Sequence, residues 1–99
     1  MKRLTIGIDF DDTFTADPDL WRRFIGDAQR SGHVVVCVTA RREPPDFSRS
    51  PRLPDSVQIV CAGQDWKRHA AARAGFNVDI WIDDIPSLIE PSRVLDFGQ

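Results

Sequence analysis

Tyrosine is absent from this chain, methionine occurs once, and cysteine and histidine occur twice each. Cys37 and Cys61 stand singly inside apolar runs, which argues against a disulfide or a metal pair and for reduced core thiols. His33 precedes a strand and His69 sits among alanines with no partner at ligand spacing, so both read as structural or solvated. Long hydrophobic runs are also missing. The longest, Val34-Val35-Val36-Cys37-Val38, falls far short of the roughly 20 residues a membrane span needs, so no membrane partner is expected. Neither sign of charge dominates: the net charge is −2, and no whole-molecule positive field draws the chain toward nucleic acid or anionic lipid. Met1-Lys2-Arg3 is basic, but Asp9 breaks the apolar stretch behind it. That does not read as a secretion signal, and a cytoplasmic location is expected.

What is present is ordinary globular material. Of the 99 residues, 41% are hydrophobic and 28% charged, which predicts one domain over 1–99 with a single core. The charges are skewed in kind. The only lysines are Lys2 and Lys67, every other basic residue being arginine, and 13 of the 15 acids are aspartate. Lys67 therefore stands where this chain would by default use arginine, and a guanidinium cannot replace a compact ammonium at a tight site.

Periodicity places the elements. Leu4-Thr5-Ile6-Gly7-Ile8 reads as a buried strand ending abruptly at Asp9. Asp17-Pro18 opens a helix, with Leu20, Trp21, Phe24, Ile25 and Ala28 at three- and four-residue spacing and Ser31-Gly32 closing it. Val34–Val38 and Val57–Cys61 are further strands, joined by a loop over 41–55 that carries Pro44, Pro45, Pro51 and Pro54. Asp65 is expected to cap a second helix from Trp66 to about Ala74, and Val78–Ile82 is a fourth strand ending in Asp83-Asp84. Arg93-Val94-Leu95 is expected as an edge strand. Trp21, Phe24, Trp66 and Trp81 fall at core-facing positions and read as packing residues. Alternating strands and helices with short connections predict an α/β fold: a Rossmann-like three-layer sandwich around a mainly parallel sheet of about five strands.

Right-handed crossovers put the carboxyl ends of parallel strands on one rim, where ligands of open α/β sheets bind. Asp9, Asp11, Asp12, Asp83 and Asp84 are all delivered to that rim. Like charges a few ångströms apart repel by roughly 4 kcal/mol per close pair at an effective dielectric near 20. Either some are protonated or a cation sits among them, and hard carboxylate oxygens with open positions suit Mg²⁺. Asp12 and Asp17 need no role beyond turn and cap.

Ile6-Gly7-Ile8-Asp9-Phe10-Asp11-Asp12-Thr13 resembles the first motif of the haloacid-dehalogenase-like (HAD) hydrolase superfamily, an apolar strand followed by Asp-x-Asp-x-Thr. Thr39 at a strand end, Lys67 at a helix start and Asp83-Asp84 after an apolar strand follow in that family's order, over residues 4–84. The resemblance implies a Mg²⁺-dependent phosphatase, a phosphomonoester hydrolase working through an aspartyl-phosphate. In it Asp9 is the nucleophile and Asp11 the general acid and base. Thr39 would hydrogen-bond a phosphoryl oxygen, and Lys67 would offset charge on the nucleophile and the transferring group. Asp9, Asp84 and the backbone of Asp11 would hold the metal, with Asp83 behind them. Thr13 would sit on the substrate side, and Arg41 and Arg42 are placed to grip a second phosphate or a polynucleotide end. Only Phe14, Thr15 and Ala16 separate Thr13 from Asp17, and Ala62-Gly63-Gln64 lead directly to Asp65, so neither usual insertion point has room for a cap domain. A capless member with an open site is implied, acting on a nucleotide, a sugar phosphate or a polynucleotide 3′-phosphate. A homo-oligomer, in which a neighbouring subunit serves as lid, is compatible with that. The alternative is a catalytically silent binding module of the same fold. A receiver-type phospho-acceptor is excluded, because its acceptor aspartate should end the third strand, which here ends at Cys61-Ala62-Gly63.

Overall fold

Pro18 at the first helical position and the Asp17 carboxylate, which accepts from the Leu20 amide at 3.2 Å, start helix α1 (Pro18–Arg30) where the sequence places it. In the computed structural model, which describes residues 1–92, α1 lies between strands β1 (Thr5–Ile8) and β2 (Val34–Thr39). Strand β3 (Gln58–Cys61), helix α2 (Lys67–Arg73) and strand β4 (Ile80–Ile82) follow, with single 3₁₀ turns at Phe14–Ala16 and Pro86–Leu88. The strands form one parallel sheet in the order β3-β2-β1-β4. The sheet thus has four strands among the described residues, and the expected strand at 93–95 lies outside them.

Two apolar clusters line the two faces of the sheet, because successive side chains of a strand point to opposite sides. Ile6, Ile8, Val35 and Cys37 face α1 through Ile25 and Ala28. Val36, Val38 and Val60 face α2 through Ala70 and Ala71. β1, β2 and β3 step one way across the sheet, so right-handedness puts both of their connections on the α1 side. The proline-bearing loop obeys this: Leu53 and Val57 join the α1-side cluster, and Arg22 donates to the Arg52 carbonyl at 2.9 and 3.1 Å. The loop takes the place of a crossover helix.

Two expectations are corrected. Asp65 does not cap α2; the cap position is Trp66, and the Asp65 carboxylate accepts from the Trp66 amide at 2.7 Å and pairs with Arg73. Trp66 is not a core residue either. Trp21, Phe24 and Trp81 pack against the two clusters, whereas Trp66 precedes α2 on the rim with 37% of its surface exposed.

Candidate functional site

The strand order reverses beside β1: β2 lies on one side and β4, arriving last, on the other. The carboxyl ends of β1 and β4 are therefore neighbours, and the Asp9 amide donates to the Ile82 carbonyl at 2.9 Å, carrying the pairing one residue past the strands. Asp9 and the Asp83-Asp84 pair, 74 positions apart in sequence at Asp9 and Asp83, meet for this reason alone. Behind Asp9 the chain turns sharply. Asp12 adopts a left-handed conformation (φ 63°) and its amide donates to the Thr15 hydroxyl at 2.9 Å, while the Phe14 amide donates to the Asp9 carbonyl at 3.3 Å. Aspartate is among the few residues that enter this region at modest cost. The turn brings Thr13 back beneath Asp9.

Asp9 is buried and held from two directions. Lys67 Nζ donates to Asp9 Oδ1 at 2.8 Å and to Asp83 Oδ2 at 2.6 Å, and Lys67 is itself only 1% exposed. Asp83 is tied further by the Ile85 amide at 2.9 Å. The Thr13 hydroxyl lies 3.1 Å from Asp9 Oδ2 and 3.2 Å from Asp84 Oδ1, and the Asp84 amide donates to it at 3.3 Å. A hydroxyl has one proton, so it cannot satisfy both carboxylates at once. Burial pushes the Asp9 carboxyl up to about 6, with the Lys67 hydrogen bond opposing and the neighbouring Asp84 reinforcing the shift. Asp84, on the exposed side of that contact, is drawn below the usual carboxylate range by its hydrogen bond with Asp9, helped by Thr13. Burial would lower the Lys67 ammonium, but its bonds to Asp83 and Asp9 outweigh that and keep it above the ordinary lysine value.

Carboxylate oxygens of Asp9, Asp83 and Asp84 all lie within 4.8 Å of one another. Three carboxylates against one ammonium leave negative charge uncompensated, and the shared Thr13 proton leaves an oxygen unsatisfied. A hard divalent cation fits that donor set. Because both oxygens of Asp83 are engaged, one by Lys67 and the other by the Ile85 amide, the pair left to face such an ion is Asp9 and Asp84.

Asp11 stands apart from this cluster. Its carboxylate is gripped by the Arg41 guanidinium in a two-pronged contact, Nε to Oδ2 and a terminal nitrogen to Oδ1, both 2.8 Å. That contact holds the Asp11 carboxyl below its usual range. Arg41 also lies over the Phe10 ring at 5.4 Å from its centroid. Thr39 is buried, and its hydroxyl accepts from the Arg41 amide at 3.2 Å, which ties the start of the loop to the end of β2. Arg42 is exposed and, among the described residues, makes no salt bridge or side-chain hydrogen bond. The two cysteines are unpaired, and burial pushes the Cys37 thiol up to about 12, which keeps it inert.

The structure thus gathers Asp9, Thr13, Lys67, Asp83 and Asp84 into one contact network, with Thr39, Arg41 and Asp11 forming a second around the mouth of β2. Sequence reasoning missed the Arg41–Asp11 contact. It also missed a cleft of about 280 Å³ beside Lys67, walled by Trp66 and Leu88. Comparison with protein-family models, curated proteins and solved structures gave no match, so the site is read from its own geometry.

Proposed function

We propose that this chain is a Mg²⁺-dependent phosphomonoesterase of HAD type, with Asp9 as its nucleophile. The observation that carries the reading is the surrounding of Asp9: a buried carboxylate at a strand end, one oxygen on Lys67, the other sharing Thr13 with a second carboxylate. A purely structural acid would have its charge cancelled. Here the neighbourhood stays net negative and opens at Asp84, which is exposed.

The chemistry follows from the chain's own groups. A carboxylate oxygen of Asp9 bonds to phosphorus as the ester P–O bond breaks, and Asp11 gives its proton to the leaving oxygen. Asp11, now a carboxylate, takes a proton from water as the water oxygen attacks phosphorus. Inorganic phosphate leaves and the Asp9 carboxylate is restored. Lys67 orients Asp9 and offsets charge that builds on the transferring group. Mg²⁺ held by Asp9 and Asp84, with the Asp11 backbone, would neutralise phosphoryl oxygens. Asp11 can carry its proton only once Arg41 releases it, and a phosphoryl dianion offers the guanidinium a competing two-pronged partner.

The Arg41–Asp11 contact also favours a second reading, a phosphate-binding module in which Asp11 never donates. Phosphate release from p-nitrophenyl phosphate, with Mg²⁺ and with EDTA, separates the two. Metal-dependent hydrolysis by the parent chain is expected, falling by at least 10³-fold in Asp9→Asn, on the order of losses seen when a nucleophile is removed. Wild-type-like release by a folded Asp9→Asn would overturn the assignment.

A further inference from the structure

The geometry points to the cleft beside Lys67 as the seat of the leaving group, and to a nucleoside monophosphate as the substrate, its base stacked on Trp66. This rests on the phosphomonoesterase reading and names the substrate class for that same site. Ala40, Gly63, Gln64, Asp65, Trp66, Lys67 and Leu88 line a cleft of about 280 Å³, with the Asp65 carboxylate engaged by Arg73 and by the Trp66 amide. Two of these residues join it to the reacting groups: Ala40 follows Thr39, and Lys67 reaches Asp9 at 2.8 Å. Asp9 does not itself line the cleft, so the ester substituent of a phosphoryl group at Asp9 would pass over buried Lys67 to reach this opening.

The walls suit a flat ring. Trp66 is 37% exposed and Leu88 39%, both large apolar side chains left facing solvent. Gly63 contributes no side chain, and exposed Gln64 offers an amide donor and acceptor to a ring edge. The segment that carries Leu88 is fixed against α2: the Arg68 amide donates to the Ile89 carbonyl at 2.9 Å, and Arg68 pairs with Glu90 at 2.8 Å. Its volume is at the small end for ligand pockets, room for one ring system and not for successive bases of a polymer. Arg42 is close by, its Cγ 3.7 Å from where a Gly63 side chain would begin.

The test measures binding to Asp9→Asn by calorimetry in Mg²⁺, using adenosine 5′-monophosphate, adenosine 3′-monophosphate and ribose 5-phosphate. Acetyl phosphate hydrolysis by the parent chain is followed in parallel. A nucleotide should bind about tenfold or more tightly than ribose 5-phosphate, the size expected of one base–aromatic stack. Trp66→Phe should keep most of that preference, and Trp66→Leu, which keeps bulk without a ring face, should erase it. Equal affinity for nucleotide and sugar phosphate, or a preference indifferent to Trp66→Leu, would overturn the proposal while acetyl phosphate turnover left the phosphatase reading standing. A Trp66-dependent preference without turnover would support the cleft and overturn the phosphatase. Neither binding nor acetyl phosphate turnover would remove both. Higher kcat/KM on a 3′-phosphorylated oligonucleotide than on either mononucleotide would overturn the mononucleotide assignment.

Discussion

Lys67 is the residue on which the site's stability turns. It is buried between Asp9 and Asp83, and removing it leaves two carboxylates facing each other with no ammonium. Breaking a buried ion pair by deleting one partner typically costs about 3–5 kcal/mol. Lys67→Met should therefore lower the unfolding free energy by that measure, with a lower denaturant midpoint, and abolish hydrolysis, with Mg²⁺ recovering part of the stability because it replaces the lost charge. Lys67→Arg should not rescue activity: a planar fork cannot occupy a space closed to 1% exposure around a single ammonium. The scarcity of lysine in the chain is consistent with this demand. A midpoint unchanged in Lys67→Met would mean that Asp9 and Asp83 do not depend on it.

At the scale of elements, the rim depends on how closely β4 lies against β1. Gly7 makes that approach: a side chain there would begin 3.0 Å from the Trp81 ring and 3.1 Å from Val78. Gly7→Ala should displace Trp81 and with it the end of β4, destabilising by roughly 1–3 kcal/mol. It should also weaken Mg²⁺ binding, since Asp83 and Asp84 follow β4 directly. Gly32→Ala provides the comparison. That residue has φ +90° with nothing near it, at the turn before β2 and hence at the amino end of the sheet. Its strain should cost about 1–2 kcal/mol and leave Mg²⁺ affinity unchanged. Calorimetric Mg²⁺ titration of both variants, scaled to their melting temperatures, distinguishes a local effect from a general loss of stability.

For the whole molecule, the raised Asp9 carboxyl makes stability depend on pH, and the proposed metal binding should depend on pH with it. Its folded value, about 6, lies above the ordinary 3.8, so between these the native state binds the extra proton. This group's contribution is present at low pH and is lost as pH rises through 6, since the unfolded state has already given up its proton. On the proposed reading, Mg²⁺ and the proton would compete for the same carboxylate. The rise in melting temperature at millimolar Mg²⁺ should therefore be small at pH 5 and several degrees at pH 7.5. A rise of equal size at both values would mean that the metal does not touch Asp9.

Much of this molecule was legible before folding. Apolar runs of β-branched residues marked the strands, Asp17-Pro18 marked the start of α1, and aspartates directly after β1 and β4 marked the rim. These are local properties: periodicity, capping and the conformational preferences of a few residues determine them without reference to distant neighbours. Tertiary structure alone decided the rest. That Lys67 is buried rather than solvated follows from α2 starting close enough to the carboxyl ends of β1 and β4 for its side chain to reach Asp9 and Asp83. That Arg41 closes on Asp11 across 30 positions, and that Trp66 walls a cleft instead of joining the core, follow from where the loop after β2 and the start of α2 come to lie. Composition says which charges a chain carries. Only the packing of one element on another sets the distances between them, and through those distances which are cancelled and which stay free to act.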